Sequence, residues 1–183
     1  MKGKLKLRAD FVFGDYLLTN FINLSNEEKE MVRNWRNSEQ VKKWMFSDHT
    51  ISPEEHSLFT ERLKSDERNF YWVVKRSGGG YCGVILLNEV DFKNMNAYLG
   101  IYANPDYHIP GVGRILMDSL KTVTFDLAHL HTLKLEVIET NGRALDFYRK
   151  SGFIEEGKLK EFVFKDGRWY DVIIMGMVNK EFI

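Results

Sequence analysis

At 183 residues the chain is long enough to bury one hydrophobic core and short for two, so a single domain over 1–183 is expected. Lysine and arginine total 26, as do aspartate and glutamate, and a formal charge of zero speaks against nucleic acid or an anionic membrane as partner. The one cysteine, Cys82, cannot close an internal disulfide, and after a basic start at residues 1–6 no apolar run reaches signal-peptide or membrane-span length; a soluble cytoplasmic protein is expected.

In chain order, residues 11–18 read as a first strand ending at Thr19-Asn20. Ser25, followed by Glu27 and Glu28, caps a helix through Met31, Val32 and Trp35 that stops near Asn37. A short helix over 39–45 follows. Ser52-Pro53-Glu54-Glu55 then opens a third helix, with Leu58, Phe59, Arg62 and Leu63 at helical spacing. Residues 70–76 and 81–90 alternate around Ser77-Gly78-Gly79-Gly80 and predict a hairpin; 97–103 adds another strand. An amphipathic helix over 113–128 turns Ile115, Leu116, Leu120, Val123 and Leu127 inward. After it come a strand over 131–138, a helix over 141–150 closed by Ser151-Gly152, and two strands, 153–164 and 169–177, joined through Asp166-Gly167. These elements make a mixed, mostly antiparallel sheet of about seven strands flanked by helices, an α/β (α+β) fold. Pairing of the last strand within the subunit or across a homodimer is left open.

The segment richest in chemistry is 99–120, where a strand runs through a glycine turn into a helix. Gly111 and Gly113 let the main chain approach an anion closely, and the helix start adds its partial positive charge. The spacing lacks Gly-x-x-x-x-Gly-Lys-Ser/Thr and the third glycine of a dinucleotide fingerprint, which argues against nucleoside triphosphate and nicotinamide cofactors. No metal site is expected. Cys82, in an apolar run without cationic neighbours, reads as strand packing rather than a nucleophile.

The run from Tyr98 to Gly113, with His108-Ile109-Pro110-Gly111-Val112-Gly113 at its end, resembles the acetyl-CoA motif of the GNAT superfamily of N-acetyltransferases. Its usual pattern is Arg or Gln, two residues, Gly, one residue, Gly or Ala; His108 stands in the first place. The run Leu135 to Phe153, with Asn141-Gly142-Arg143-Ala144-Leu145-Asp146-Phe147-Tyr148, resembles the superfamily's second hallmark, and the likeness covers residues 69–178. It implies the GNAT fold, acetyl-CoA as cofactor and direct acyl transfer to an amine. It further implies that Ile101, Tyr102 and Ala103 pair with the pantetheine arm as an added strand and that N–H groups from Ile109 through Gly111, Val112 and Gly113 to Arg114 hold the pyrophosphate. His108 would flank that group, and Asn141, Ala144, Phe147 and Tyr148 would border the thioester. In family members with tyrosine at the Tyr148 position, its hydroxyl protonates the departing thiolate.

Transfer to an amine also needs a base. Alternation turns Glu136 away from Leu133, Leu135 and Val137 and places it just before the Asn141 turn, so Glu136 is the first candidate, through water; Glu89 and His49 are lesser ones. The acceptor clues lie in the first third: Arg33, Trp35 and Arg36, then Trp44, Met45, Phe46 and His49, then Phe59. Arginines beside aromatics suit phosphate and a stacked base. The Trp-Arg-Asn and Trp-Met-Phe elements resemble the GNAT branch that acetylates the 4-amino group of UDP-4-amino-4,6-dideoxy-N-acetyl-β-L-altrosamine in pseudaminic acid biosynthesis, which feeds flagellin glycosylation. By that resemblance the nucleotide sugar packs on Met45, Phe46, Phe59 and Tyr98, with Arg33, Arg36, His49 and Glu89 nearby. Alternatives are a protein N-terminal acetyltransferase of ribosomal-protein type and a non-catalytic acyl-CoA-binding module.

Overall fold

The structure, a computed structural model, describes residues 7–180; the basic start at 1–6 lies outside them. Eight strands form one sheet: β1 (Phe11–Phe13), β2 (Tyr16–Asn20), β3 (Phe70–Arg76), β4 (Tyr81–Asp91), β5 (Asn96–Ala103), β6 (Thr132–Ile138), β7 (Ile154–Lys165) and β8 (Arg168–Val178). Their order is β1-β2-β3-β4-β5-β6-β8-β7, and among these neighbours only β5 and β6 run parallel. Five α-helices flank it: α1 (Asn26–Asn37), α2 (Glu39–Lys42), α3 (Pro53–Leu63), α4 (Val112–Lys121) and α5 (Gly142–Lys150). Among the described residues no helix is long and apolar enough to cross a membrane.

The eighth strand comes from the run predicted as one. Gly14, at φ 53°, turns the chain at Gly14-Asp15, so β1 and β2 make a small hairpin with Phe13 opposite Tyr16. Two helices also depart from expectation. The α-helical part of 39–45 ends at Lys42, and the chain continues in i→i+3 turns through Trp44 and Met45. The helix predicted over 113–128 widens into a π-helix over Thr122–Leu127, where the Thr124 hydroxyl donates to the Leu120 carbonyl at 2.8 Å and the Ala128 N–H reaches Val123 O. β8 lies between β6 and β7 of its own chain, which answers the question of its pairing.

Caps explain the helix starts. Ser25 accepts from the Glu28 N–H while Glu28 accepts from the Ser25 N–H, a reciprocal box. Ser52 accepts from the Glu55 N–H and Pro53 sits at the first helical position. Asp166 (φ 50°) and Gly167 (φ 76°) make the tight turn between β7 and β8.

Strand alternation divides the core between the two sheet faces. One face buries Trp72, Ile85, Leu87, Leu99, Leu133 and Leu135 against Leu116, Met117 and Leu120 of α4 and Leu145 of α5. The other buries Val73 and Val84 against Val32 and Trp35 of α1 and Leu63 of α3. Helices α4 and α5 are therefore on one face of the sheet and α1 and α3 on the other.

Candidate active site

β5 and β6 pair only at Asn96↔Thr132, Ala97↔Leu133 and Tyr98↔Lys134. Beyond Tyr98 the β6-facing edge of β5 has no strand partner, while its other edge stays on β4 as far as Gly83↔Ala103; β6 likewise continues on β8 alone to Ile138↔Val172. A slot lined by unpaired main-chain groups opens between them, and an extended ligand can enter it as a strand would. Ile101, Tyr102 and Ala103 lie along its β5 edge. Gly83 keeps the neighbouring layer tight: a Cβ there would meet the Tyr102 carbonyl at 2.3 Å.

The slot leads to the start of α4. Gly111, at φ 74°, is the left-handed N-cap, and the Ile109 and Gly111 carbonyls accept from the Val112 and Arg114 N–H groups at 3.1 and 2.9 Å. Gly113 has no intrahelical acceptor for its N–H, as is general for a first turn. No side chain caps this helix. The result is a concave set of N–H groups open to an anion, with His108 and Arg114 exposed beside it. The Phe147 ring of α5 lies where a Gly113 Cβ would come within 3.1 Å of it, so the glycine is needed for close packing as well as for the anion. Trp35, 1% exposed, donates its indole N–H to Asp106 at 2.8 Å and ties the loop before the turn to α1.

On the β6 side of the slot, Asn141 caps α5 by accepting from the Ala144 N–H at 3.2 Å, and Ala144, Phe147 and Tyr148 follow on the inner side. Tyr148 is 9% exposed and packs on Phe147 and Phe153, with ring centroids 5.5 and 5.8 Å away. Burial pushes its hydroxyl up to about 12, so it is a neutral proton donor at physiological pH. A tyrosine this buried normally finds a hydrogen-bond partner. The Tyr148 hydroxyl bonds to no other described residue and is not one of the fully buried polar atoms left without a partner, so the ring is buried while the oxygen keeps some exposure.

Glu136 is half-buried on β6, opposite the face of Leu133, Leu135 and Val137 as expected. Desolvation, then the neighbouring charge of Glu89, raise its pKa above the ordinary carboxylate value. Lys134, two residues away, is taken by Glu156 at 2.7 Å. Glu89 reaches this neighbourhood because β4 bulges between Asn88 and Asp91, with Glu89 at φ 53° and its N–H bonded to Asn69 Oδ1.

The residues expected from the sequence to meet the acceptor fall largely on the α1–α3 face. Tyr98 sits between Asn88 and Lys134 in register. A cavity of about 290 Å³ is lined by Phe59, Arg62, Leu63, Asp66, Asn69, Tyr71, Asn88 and Glu89, and Phe59 meets Tyr71 edge-on at 5.1 Å. Arg36 is half-buried beside Tyr71 and Tyr102, desolvated enough to lower its pKa. One arm donates to Ser47 Oγ at 2.9 Å; the other nitrogen, Nη1, is buried without a partner. Asn88 Oδ1 is likewise unpartnered.

The structure thus brings Phe59, Glu89, Tyr98 and Arg36 to one face, with Met45 and Phe46 on the segment after α2. It does not bring Arg33 or His49 there. Arg33 spends its guanidinium on Glu30 and on the Ile51 carbonyl at 2.9 Å, and His49 pairs with Glu55 at 2.9 Å on the exposed α2–α3 connection. Asn88 and Tyr71 were not singled out from the sequence; the signal was there in Asn88-Glu89, polar residues interrupting the apolar run of β4. Cys82 is buried, and burial raises its thiol pKa. Among the described residues no three His, Cys, Asp or Glu side chains group to hold a metal ion.

A strand-like slot with a main-chain anion nest and a neutral tyrosine beside it is the arrangement of an acyltransferase that uses a coenzyme A thioester. The model of the Acetyltransferase (GNAT) family matches residues 29–153, and the chain belongs to that family. It is an N-acetyltransferase using acetyl-CoA. Acetyltransferase PseH of Campylobacter jejuni is 30% identical over 150 residues, 80% of this chain and 90% of that protein. The spermidine N(1)-acetyltransferase of Vibrio cholerae is 26% identical over 162 residues, 87% of this chain and 92% of that protein. A crystal structure of the Vibrio cholerae spermidine N-acetyltransferase with CoA and spermine superposes with a TM-score of 0.83 at 24% identity, covering 93% of this chain and 99% of that one, and shows the shared fold.

Proposed function

We propose that the acceptor is the 4-amino group of a UDP-linked amino-dideoxy sugar, as in pseudaminic acid biosynthesis for flagellin glycosylation, and that the protein works in the cytoplasm. The observation that carries this reading is Arg36. A half-buried guanidinium with an unpartnered nitrogen and, among the described residues, no carboxylate partner favours an anionic ligand and disfavours a polycation. The likeness to PseH supports the choice.

In this reading the free edge of β5 at Ile101, Tyr102 and Ala103 aligns the pantetheine arm. The N–H groups of Ile109, Gly111 and Gly113 hold the pyrophosphate, with His108, Val112 and Arg114 beside them; the Val112 and Arg114 N–H groups are already bonded to the Ile109 and Gly111 carbonyls. Asn141, Ala144 and Phe147 border the thioester. When bound, acetyl-CoA supplies an acetyl group activated by its bond to sulfur. Glu136, through water, takes a proton from the acceptor ammonium so that the amine lone pair is free to attack. As the carbon–sulfur bond breaks, Tyr148 gives its proton to the departing sulfur, and the proton that the new amide nitrogen loses passes through water to restore the Tyr148 hydroxyl. Arg36 holds a diphosphate oxygen, while Met45, Phe46, Phe59 and Tyr98 pack on the nucleoside and sugar.

A second reading, acetylation of a polyamine, is supported by the likeness to the Vibrio cholerae spermidine N(1)-acetyltransferase and by the neighbouring carboxylates Glu89 and Glu136, which would welcome a cationic amine. Acetylation assays with a UDP-4-amino sugar, spermidine and a peptide with a free N-terminus separate these readings. Turnover confined to the UDP sugar, with UDP alone raising Tm, is expected. Turnover of spermidine or peptide without the UDP sugar would overturn the proposal.

A further inference from the structure

Lys165 is the last residue of β7, and alternation places it on the same side as buried Val163 while Phe164 points outward. It is 3% exposed. An ammonium so deeply placed needs compensation, and it has it in an unusual form. Nζ donates to the carbonyls of Lys42 and Lys43 at 2.9 Å and of Met45 at 3.0 Å, a set more than a hundred residues away in sequence. All three ammonium donors are used; no described carboxylate forms an ion pair with it, though the charges of Asp166, Asp48 and Glu39 lie near enough to favour the ammonium.

The three carbonyls belong to the end of α2 and the turns that follow; Lys42 O also accepts from the Met45 N–H at 3.0 Å, so Lys165 adds a second bond there. This same segment carries Met45 and Phe46. Phe46 is 37% exposed and Trp44 38%, so α2's last turn is held less by burial of its own aromatics than by these polar contacts. From the other side, Arg36 of α1 reaches Ser47. The segment 42–47 is braced between two cations from distant parts of the chain.

We propose that Lys165 is a positioning residue for the acceptor: its ammonium fixes the 42–46 carbonyls and thereby sets Met45 and Phe46 against the acceptor, without touching the cofactor slot. The kinetic half of this inference rests on the reading of Met45 and Phe46 as acceptor-binding; the structural half does not. A role confined to general stability predicts that both substrates suffer alike. A positioning role predicts a split.

The test uses the full chain with Lys165→Met, Lys165→Gln and Lys165→Arg, assayed with acetyl-CoA and a UDP-4-amino sugar, together with amide hydrogen exchange. Lys165→Met is expected to raise the acceptor KM about tenfold with the acetyl-CoA KM unchanged. Exchange at residues 43–47 should quicken about tenfold, with none at β6 or α4. Lys165→Arg, which keeps charge and donors, should return both readouts toward wild type. An unchanged acceptor KM, an equal rise for both substrates, or unaltered exchange at 43–47 would overturn the proposal. Should the methionine variant not melt cooperatively, Lys165→Gln, with a neutral two-hydrogen donor, carries the same expectations at about threefold. If wild type does not acetylate the UDP sugar, the nucleotide-sugar reading fails on that result alone, and hydrogen exchange then decides for or against Lys165.

Discussion

The cofactor half of the site and the acceptor half are built from different materials. The slot between β5 and β6 and the nest at Gly111-Val112-Gly113 are made of main-chain groups, and side chains matter there mainly by being absent. The acceptor face is made of side chains brought from α1, the segment after α2, α3, β4 and the tip of β7. A backbone site tolerates substitution so long as strand, turn and helix survive, which is why His108 can stand where the family has Arg or Gln. A side-chain site changes specificity with each residue. The comparison predicts that variants of the two halves should separate cleanly in their kinetics.

The largest expected effect sits where the halves meet. Tyr148→Phe removes a hydroxyl that holds up nothing in the protein, so Tm should stay near wild type and calorimetric coenzyme A binding should be nearly intact. Turnover should fall about a hundredfold, within the range for losing a general acid. Unchanged turnover would remove Tyr148 from the chemistry. Next comes the cofactor half alone. Gly113→Val places carbon against the Phe147 ring and over the nest, and should weaken coenzyme A binding by tenfold or more, about 1.4 kcal/mol, with the acceptor KM little affected.

In the acceptor half, Arg36→Met should raise the acceptor KM about tenfold and leave the acetyl-CoA KM as it was. It should also leave Tm unchanged or higher, because the guanidinium it removes is desolvated and lacks a counter-charge. A large drop in Tm would mean that Arg36 is a structural residue and would blur the contrast between the halves.

The same contrast explains what could be read from the sequence. Strands, turns and helices follow local pattern, so β3 to β8, the caps at Ser25 and Ser52, the Asp166-Gly167 turn and the glycine nest were all legible. Fold errors came where one local choice competes with another. Gly14 broke an apparently continuous strand, and the threonine-rich stretch after Lys121 widened a helix that hydrophobic spacing alone would continue. The acceptor face was legible only as a composition, aromatics and arginines in the first third. Arg33 and Arg36 look alike in sequence, yet one is neutralised by Glu30 and the other is left unpaired; only the packing of α1 separates them. Lys165 beside Asp166-Gly167 reads as an ordinary turn lysine, and nothing local reveals partners at residues 42–45.

The smallest effect is electrostatic and tests whether the halves communicate through Glu136. Its pKa is raised, first by desolvation and then by Glu89. If Glu136 is the base, the acidic limb of the kcat/KM profile lies above the ordinary carboxylate range, because activity requires the deprotonated form. Glu89→Gln removes the repulsion and should shift that limb toward lower pH; a shift upward or none would separate the two carboxylates. Stability follows the same sign. A carboxyl whose folded pKa exceeds its unfolded pKa favours folding when protonated, and that contribution is lost as pH rises through the folded value. Glu136→Gln should therefore raise Tm slightly at neutral pH and leave it unchanged near pH 4. A fall in Tm at neutral pH would mean that ionised Glu136 has a stabilising partner, and the base would then have to be sought at Glu89.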